Sequence, residues 1–345
     1  YLINFFKDLL NFFRYKRHET NCNIGFFCET NFIYQYIEPY IKKKIKKRRV
    51  IIISFENIID KDIEQKSVFV FRSNFFRELV FLTLNLKYLY SSTPDLNYTI
   101  FKKSRLNKCK YIYLQHTPVS LTMIYKEKAF NAFDAIQVIS NFQYKEMLEI
   151  KNKFSLKTKI FKSKYLFTDK ISKSSDNKVI DLLIAPTWNT SFFKLNCHKL
   201  LKKALDESKL SYKIRPHPMS YTKGEISKNE IKNLEMDIDD SEFIDFKKYN
   251  FFVSDWSGLF IEYALIFKRK SYLINTPKKV SNENYKNYSS IPIEISLRNI
   301  LCKTYEIQNI SEIVKDILKI KENFKNSNKI TEDLNIKKII DENFY

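Results

Sequence analysis

The feature that most limits the fold is a rhythm of short apolar runs. Each run is continuous, and each stops at a polar or proline-bearing turn. NIGFFCET (23–30), VIIIS (50–54), SVFVF (67–71), YLYSST (88–93), YIYLQHT (111–117) and AIQVIS (135–140) follow one another down the chain. Helix-like stretches at 32–47, 73–87 and 141–151 lie between several of them. A strand that is apolar at every position, rather than every second one, is buried on both faces. That calls for a parallel sheet covered by helices. After the polar stretch ISKSSDNK (171–178), read as a linker, the rhythm restarts. VIDLLIAPTW (179–188), a helix near 194–209, YKIRPHP (212–218), FFVSD (251–255), a helix over 256–267 and SYLINTP (271–277) come in order, with helical segments over 304–325 and 330–342. The expected architecture is α/β, with two parallel sheets facing a cleft. An N-terminal amphipathic helix (1–20) leads into a first domain (21–170). A second domain (179–325) and a helical tail (326–345) follow. A chain of 345 residues is long enough for two cores.

Composition then removes whole classes of function. Glycine occurs only at Gly25, Gly224 and Gly258. A Walker A loop or a G-x-G-x-x-G fingerprint needs clustered glycines, so both are excluded. Phosphate must be held by side chains and helix starts. The cysteines, Cys22, Cys28, Cys109, Cys197 and Cys302, form no C-x-x-C pair. This argues against a zinc ribbon and a disulfide framework, and it fits a reducing cytoplasm. No carboxylate cluster offers a divalent metal site, so neither metal nor cofactor is expected. A net charge of +21 draws anions. No nucleic-acid-binding signature accompanies it, so nucleic acid is not the expected partner. Residues 2–15, LINFFKDLLNFFRY, are amphipathic at helical spacing. Such a helix either packs on the body or lies in a membrane interface. KKKIKKRR (42–49) is either a solvated helix end or a patch for anionic lipid or a polyphosphate. His18 and His198 have no chemical context and read as surface residues.

In open parallel sheets, ligands bind beyond the carboxyl ends of the strands. There the sequence places His116-Thr-Pro, Pro186-Thr187-Trp188, Arg215-Pro-His217-Pro, Ser254-Asp255-Trp-Ser257-Gly258 and Asn275-Thr-Pro277. Prolines on both sides of His217 make a stiff, extended strand exit. Arg215 and His217 suit phosphate oxygens, the first as a fork and the second as a donor. Ser254 or Asp255 is placed to cap the next helix, and Ser257 and the free amides of its first turn suit an anion. Gly258 permits close backbone approach. His116 is either a structural histidine or a general base.

Taken in order, Y-x-Q-H, A-F-x-x-F-D (Ala129 to Asp134), A-P-T-W, R-P-H-P and S-D-W-S resemble the CDP-glycerol glycerophosphotransferases of the teichoic acid and capsule polymerase type. The resemblance runs from about residue 20 to about residue 280. It implies a GT-B fold, with two Rossmann-like domains and the active site between them. It implies transfer of an alditol phosphate from a CDP-linked donor, a substrate rather than a cofactor, to an acceptor hydroxyl, with release of CMP. It carries the catalytic role to His116 and His217. Donor phosphates would fall to Arg215, Ser254, Asp255, Ser257, Gly258 and Thr187. It also implies a lipid-linked or polysaccharide acceptor and a peripheral position on the inner face of a bacterial membrane. The chain departs from the pattern at Thr117, where the family has glycine after the histidine. It departs again at Gly258, where the family has a second serine, and at Glu262, where it has aspartate. Two other readings stand beside this one. The same cleft could serve a GT-B glycosyltransferase using a CMP-, CDP- or UDP-sugar. Alternatively, charge and the N-terminal helix alone could make a non-catalytic membrane or polyanion binder.

Overall fold

A computed structural model describes residues 2–96, 103, 108–172, 179–241, 244–324 and 332–345. The linker expected at 171–178 lies, from 173 onward, outside the described residues. Two sheets carry the structure. The first contains β1 (Ile24–Cys28), β2 (Val50–Ser54), β3 (Val68–Val70), β4 (Tyr88–Ser91), β5 (Lys110–Tyr113), β6 (Ala135–Val138) and β7 (Lys159–Lys162). Its order is β3-β2-β1-β4-β5-β6-β7, with every pairing parallel. The second contains β8 (Ile180–Ile184), β9 (Tyr212–Ile214), β10 (Tyr249–Ser254), β11 (Ser271–Ile274) and β12 (Cys302–Tyr305), in the order β12-β11-β10-β8-β9. It too is parallel throughout. β1 and β2 are buried at every residue, as their unbroken apolar runs require.

Each sheet has a point where its strand order reverses. In the first, β1 pairs with β2 on one side and β4 on the other. In the second, β8 pairs with β9 and with β10. Chains leaving the carboxyl ends of such neighbours diverge and leave a crevice. The two crevices face each other.

Several elements differ from the sequence expectation. β7 and β12 were not anticipated, and the segment from 304 opens as the end of β12 before a helix over Ile310–Phe324. The helix expected from 256 starts at Leu259 and runs to Phe267. Neither Ser254 nor Asp255 caps it. The Ser257 hydroxyl accepts from the Leu259 amide at 3.3 Å instead. His198 is not a surface residue. It is buried against Phe193, and burial pushes its imidazole down to about 4.

The helix Leu2–Glu19 packs on the first sheet and turns its acids inward. Asp8 accepts from the Arg72 and Ser73 amides, and Glu19 accepts from the Asn85 amide. Ile3, Phe6, Leu10 and Phe13 stay outside. Lys42–Lys44 of the basic block form the last turn of the helix Asn31–Ile45, where cations meet free carbonyls. Lys42 is also paired with Glu38, Asp60 and Asp62.

Candidate active site between the two sheets

A cleft of about 300 Å³ lies where the two crevices meet. Its walls bring together His116 and Thr117, Thr187 and Trp188, Arg215 and His217, and Ser257 and Gly258. Phe32, Gln35 and Tyr36 close the side of the first domain. Six of the eight residues singled out from sequence therefore share one cavity. Ser254 and Asp255 do not line it. Ser254 Oγ donates to the Ala185 carbonyl at 2.7 Å. Asp255 accepts from the Thr187 amide at 2.8 Å and from Thr190 Oγ1 at 2.5 Å. These two residues pin the loops after β8 and β10 together where they diverge. They support the wall without forming it.

His116 projects from the loop after β5. Gln115 fixes that exit, because its side-chain amide donates to the Gln137 carbonyl of β6 at 2.9 Å. His116 Nδ1 lies 3.4 Å from Tyr113 Oη, and the ring also hydrogen-bonds to the Ser92 backbone. Burial is the main cause that holds its pKa down, to about 4, and the nearby Lys279 charge adds to it. The imidazole is therefore neutral at physiological pH, with one bare nitrogen able to take a proton.

His217 is placed differently. It is the N-cap of the short helix Pro218–Thr222, with Pro218 at the first helical position. The Met219 amide donates to His217 Nδ1 at 3.1 Å. With Nδ1 used as an acceptor, the neutral ring carries its proton on Nε2. Burial, Lys279 and Arg215 together press its pKa to about 3. His217 thus presents a fixed N–H donor, a role suited to an anion rather than to a base. Arg215 commits Nη1 to the Ser241 carbonyl at 2.7 Å and the Asp239 carbonyl at 3.2 Å. Its guanidinium is held in place at the cleft wall.

Lys279 was not among the residues picked from sequence, yet it sits at the centre of the charge. It lines the cleft, donates to Thr187 Oγ1 at 3.1 Å and lies 4.9 Å from the centre of the Trp188 ring. Burial lowers its pKa to about 8, against the pull of Asp255, Glu294 and Glu225. No carboxylate among the described residues lines the cleft. Among the described residues, no group of three or more His, Cys, Asp or Glu is placed to hold a metal ion.

The first domain's loop is clamped by the second. The Ser120 amide donates to both Glu294 oxygens at 3.1 Å. Asn282 Nδ2 donates to the Thr122 carbonyl at 2.8 Å. Gly258 faces this loop so closely that a Cβ there would lie 2.5 Å from Val119 Cγ1 and 2.9 Å from Thr117 Oγ1. Two departures from the resembled pattern thus meet in space. The side chain gained at 117 occupies room that glycine leaves at 258.

Two facing parallel sheets with a cleft between them are the GT-B fold, and known structures share it. A protein from Listeria monocytogenes assigned as a UDP-N-acetylglucosamine 2-epimerase superposes with a TM-score of 0.56 at 10% identity, covering 87% of this chain and 88% of that one. The UDP-N-acetylglucosamine 2-epimerase of Rickettsia bellii gives 0.52 at 12%, covering 89% and 98%. The Neisseria meningitidis UDP-GlcNAc 2-epimerase, solved with UDP-GlcNAc bound, gives 0.51 at 11%, covering 92% and 98%. No protein-family model matches the chain, and a search of curated proteins finds no match.

Proposed function

We propose that the cleft binds a nucleotide-activated donor through its diphosphate and transfers part of it to an acceptor hydroxyl. The observation that carries this reading is the convergence of Arg215, His217, Lys279 and the Ser257–Leu259 helix start on one cavity, with no carboxylate among the described residues of its wall. Such a site pairs with phosphate oxygens: guanidinium and ammonium supply charge, and the imidazole and amides supply oriented donors.

The particular transfer we propose is of an alditol phosphate from a CDP-linked donor. The ordered motif series that resembles the CDP-glycerol glycerophosphotransferases supports it, because its histidines and arginine meet in the cleft. The acceptor oxygen attacks the phosphorus that bears the alditol. Its proton passes to the bare nitrogen of His116. The bond from that phosphorus to the bridging oxygen breaks, and CMP leaves with the electron pair. Arg215, His217 and Lys279 offset the charge that builds on the leaving phosphate. General-base help of this kind is worth roughly 10²–10⁴-fold.

The second reading is transfer of a sugar from a nucleotide sugar. The frame shared with the Neisseria protein solved with UDP-GlcNAc favours it. Thermal shifts with CDP-glycerol, CDP-ribitol, CMP-sialic acid and UDP-GlcNAc separate the two, since a ligand that binds only the folded state raises its melting temperature. A shift with a CDP-alditol that is lost in His217→Ala, and a phosphodiester product whose formation falls at least a hundredfold in His116→Ala, are the expected results. A shift with a sugar nucleotide alone transfers the proposal to glycosyl transfer. Wild-type turnover in His116→Ala removes the base from the mechanism.

We also propose that the protein docks on an anionic bilayer through the outer face of the helix Leu2–Glu19. No helix among the described residues is long and apolar enough to cross a membrane.

A further inference from the structure

Across the domain boundary, one tyrosine hydroxyl lies between two oxygens. Tyr165 Oη is 2.8 Å from the His116 carbonyl and 2.8 Å from Glu262 Oε1. Tyr165 belongs to the first domain. Glu262 sits on the helix Leu259–Phe267 of the second, one turn from the residues that line the cleft. The tyrosine has a single proton. The His116 carbonyl can only accept, so it must take that proton if its bond is to exist. The contact with Glu262 then needs a proton from the carboxyl. A second observation agrees. Glu262 is 1% exposed, and its Oε2 has no hydrogen-bond partner. No Lys, Arg or His among the described residues pairs with it. An ionised carboxylate in that position would be buried with neither a counter-charge nor a full set of donors, which is costly.

We propose that Glu262, carrying its proton, positions His116 across the domain interface: the carboxyl donates to Tyr165, and Tyr165 donates to the His116 carbonyl. This deepens the reading of His116 as the base and rests on it. Glu262 does not reach the reacting atoms; it acts through Tyr165 on the backbone that aims the imidazole. If Glu262 ionises, the single tyrosine proton is drawn to the carboxylate, and the His116 carbonyl loses its donor. The base is then aimed only while the domains are closed and Glu262 is neutral. Burial holds the Glu262 carboxyl up at about 8. The ionisable groups that face it are Tyr165 and Tyr36, both held above their ordinary range by burial and by Glu262 itself. On the packed helix Ile293–Leu301, Glu294 is engaged with Ser120 and Arg298 with the Asp255 and Ile274 carbonyls. On the helix Phe167–Ser172, Asp169 pairs with Lys164 and Lys170 with Glu38.

The test compares the full chain with Glu262→Gln, Glu262→Ala and Tyr165→Phe. The imidazole NMR signal of His116, assigned by its loss in His116→Ala, is followed from pH 6.5 to 9.5. The wild type is expected to show a step near pH 8 that Glu262→Gln and Tyr165→Phe both lack. A step that persists in Glu262→Gln belongs to another group, Lys279 foremost, and overturns the proposal. So does the absence of any step in the wild type. With the donor that binds in the thermal-shift series, Glu262→Ala should lower turnover at saturation about tenfold without weakening donor binding. Glu262→Gln, which keeps a proton donor, should restore it. Equal loss in both variants also overturns the proposal. If no nucleotide donor binds any form, the transfer reading fails, while the imidazole signal still decides the relay.

Discussion

In the proposed phosphate site Lys279 sets how strongly an anion is attracted, because among the described residues that line the cleft it is the cation whose charge can be removed near neutral pH. Its folded pKa is pressed down to about 8 by burial. The ammonium is intact below that value and is lost as the pH rises through it. Donor affinity is therefore expected to hold up to about pH 7.5 and to decline above pH 8. Lys279→Met should weaken binding by about 10–100-fold, the usual worth of a charge-assisted hydrogen bond, and should flatten the pH dependence. Calorimetric titration at pH 7 and pH 9 on both proteins checks this. An unchanged affinity in Lys279→Met would remove it from the phosphate site. The residue was hard to find from sequence for a plain reason. It stands two positions beyond the SYLINTP strand end, in a chain where lysine is everywhere, and nothing local marks it. His217 was legible because two prolines frame it. So was a donor role beside Arg215; which ring nitrogen donates was not, because that rests on the Met219 amide that occupies Nδ1.

At the scale of elements, what showed in the sequence was whatever is buried on both faces. β1 and β2 stood out as apolar runs, and β8 did so apart from Asp181. β7 and β12 did not, because each is an edge strand. KIFK carries an exposed lysine at both ends, and CKTY exposes Lys303 and Thr304. Charge on an edge strand protects it from pairing with other chains, and it also hides the strand from a hydrophobic reading. The sequence of the N-terminal helix suits either packing on the body or a membrane interface, and in the structure one face packs while the other stays apolar and exposed. Its inner face is packed through Asp8, Tyr15 and Glu19. Its outer face keeps Ile3 and Leu10 each 71% exposed, with Phe13 at 63% and Phe6 at 59%. Lys7 and Arg17 are exposed beside them, and both acids of the helix are turned inward. Apolar area plus unbalanced positive charge suits an anionic lipid surface. Cosedimentation with phosphatidylglycerol vesicles is expected, with little binding to phosphatidylcholine. Replacing Phe6, Leu10 and Phe13 together with serine should abolish it and leave donor binding intact. Equal binding to both vesicle types would contradict the electrostatic part. Full binding by the triple variant would contradict the helix as the docking element.

For the whole molecule, the rhythm of strands and helices foretold two sheets and a cleft, but not what holds them together. The interface is built from carboxyls that look like ordinary helix residues in the sequence. Glu146 receives the Ser120 and Thr122 hydroxyls and the Leu121 amide at 2.6–3.0 Å, and Glu294 receives the Ser120 amide from the other domain. Burial holds Glu146 and Glu262 up at about 8, Glu294 at about 7 and Asp255 at about 6. In the unfolded chain all four ionise near pH 4. Between those values the folded state holds protons that the unfolded state has released. Their contribution to stability is full at low pH and is lost as the pH rises through 6 to 8. The buried histidines act the other way. His116 and His198 at about 4 and His217 at about 3 are neutral when folded, while the unfolded chain protonates them below about 6.5. Their contribution is full above that pH and is lost as the pH falls toward 4 and 3. The two slopes oppose each other between about pH 4.5 and 6.5, where four carboxyls slightly outweigh three histidines, so stability is expected to be nearly level from about pH 4 to 6 and highest at the acid end of that range. Above 6.5 the carboxyls act, each costing about 1.4 kcal/mol per pH unit while it still holds its proton, and buried Lys279, at about 8, offsets part of that loss once the pH passes 8. Urea unfolding from pH 5 to 8.5 should show the midpoint falling on the alkaline side. Glu146→Gln combined with Glu294→Gln, which removes two of the four titrating carboxyls, should make that fall shallower. Because these groups and Glu262 bridge or flank the domain boundary, the loss should fall first on the contact between domains. A single unfolding transition at pH 6 is then expected to separate into two by pH 8.5. One transition of constant midpoint across the range would mean that the interface carboxyls are already ionised, and that closure depends on the Asn282–Thr122 and Gly258–Val119 contacts instead.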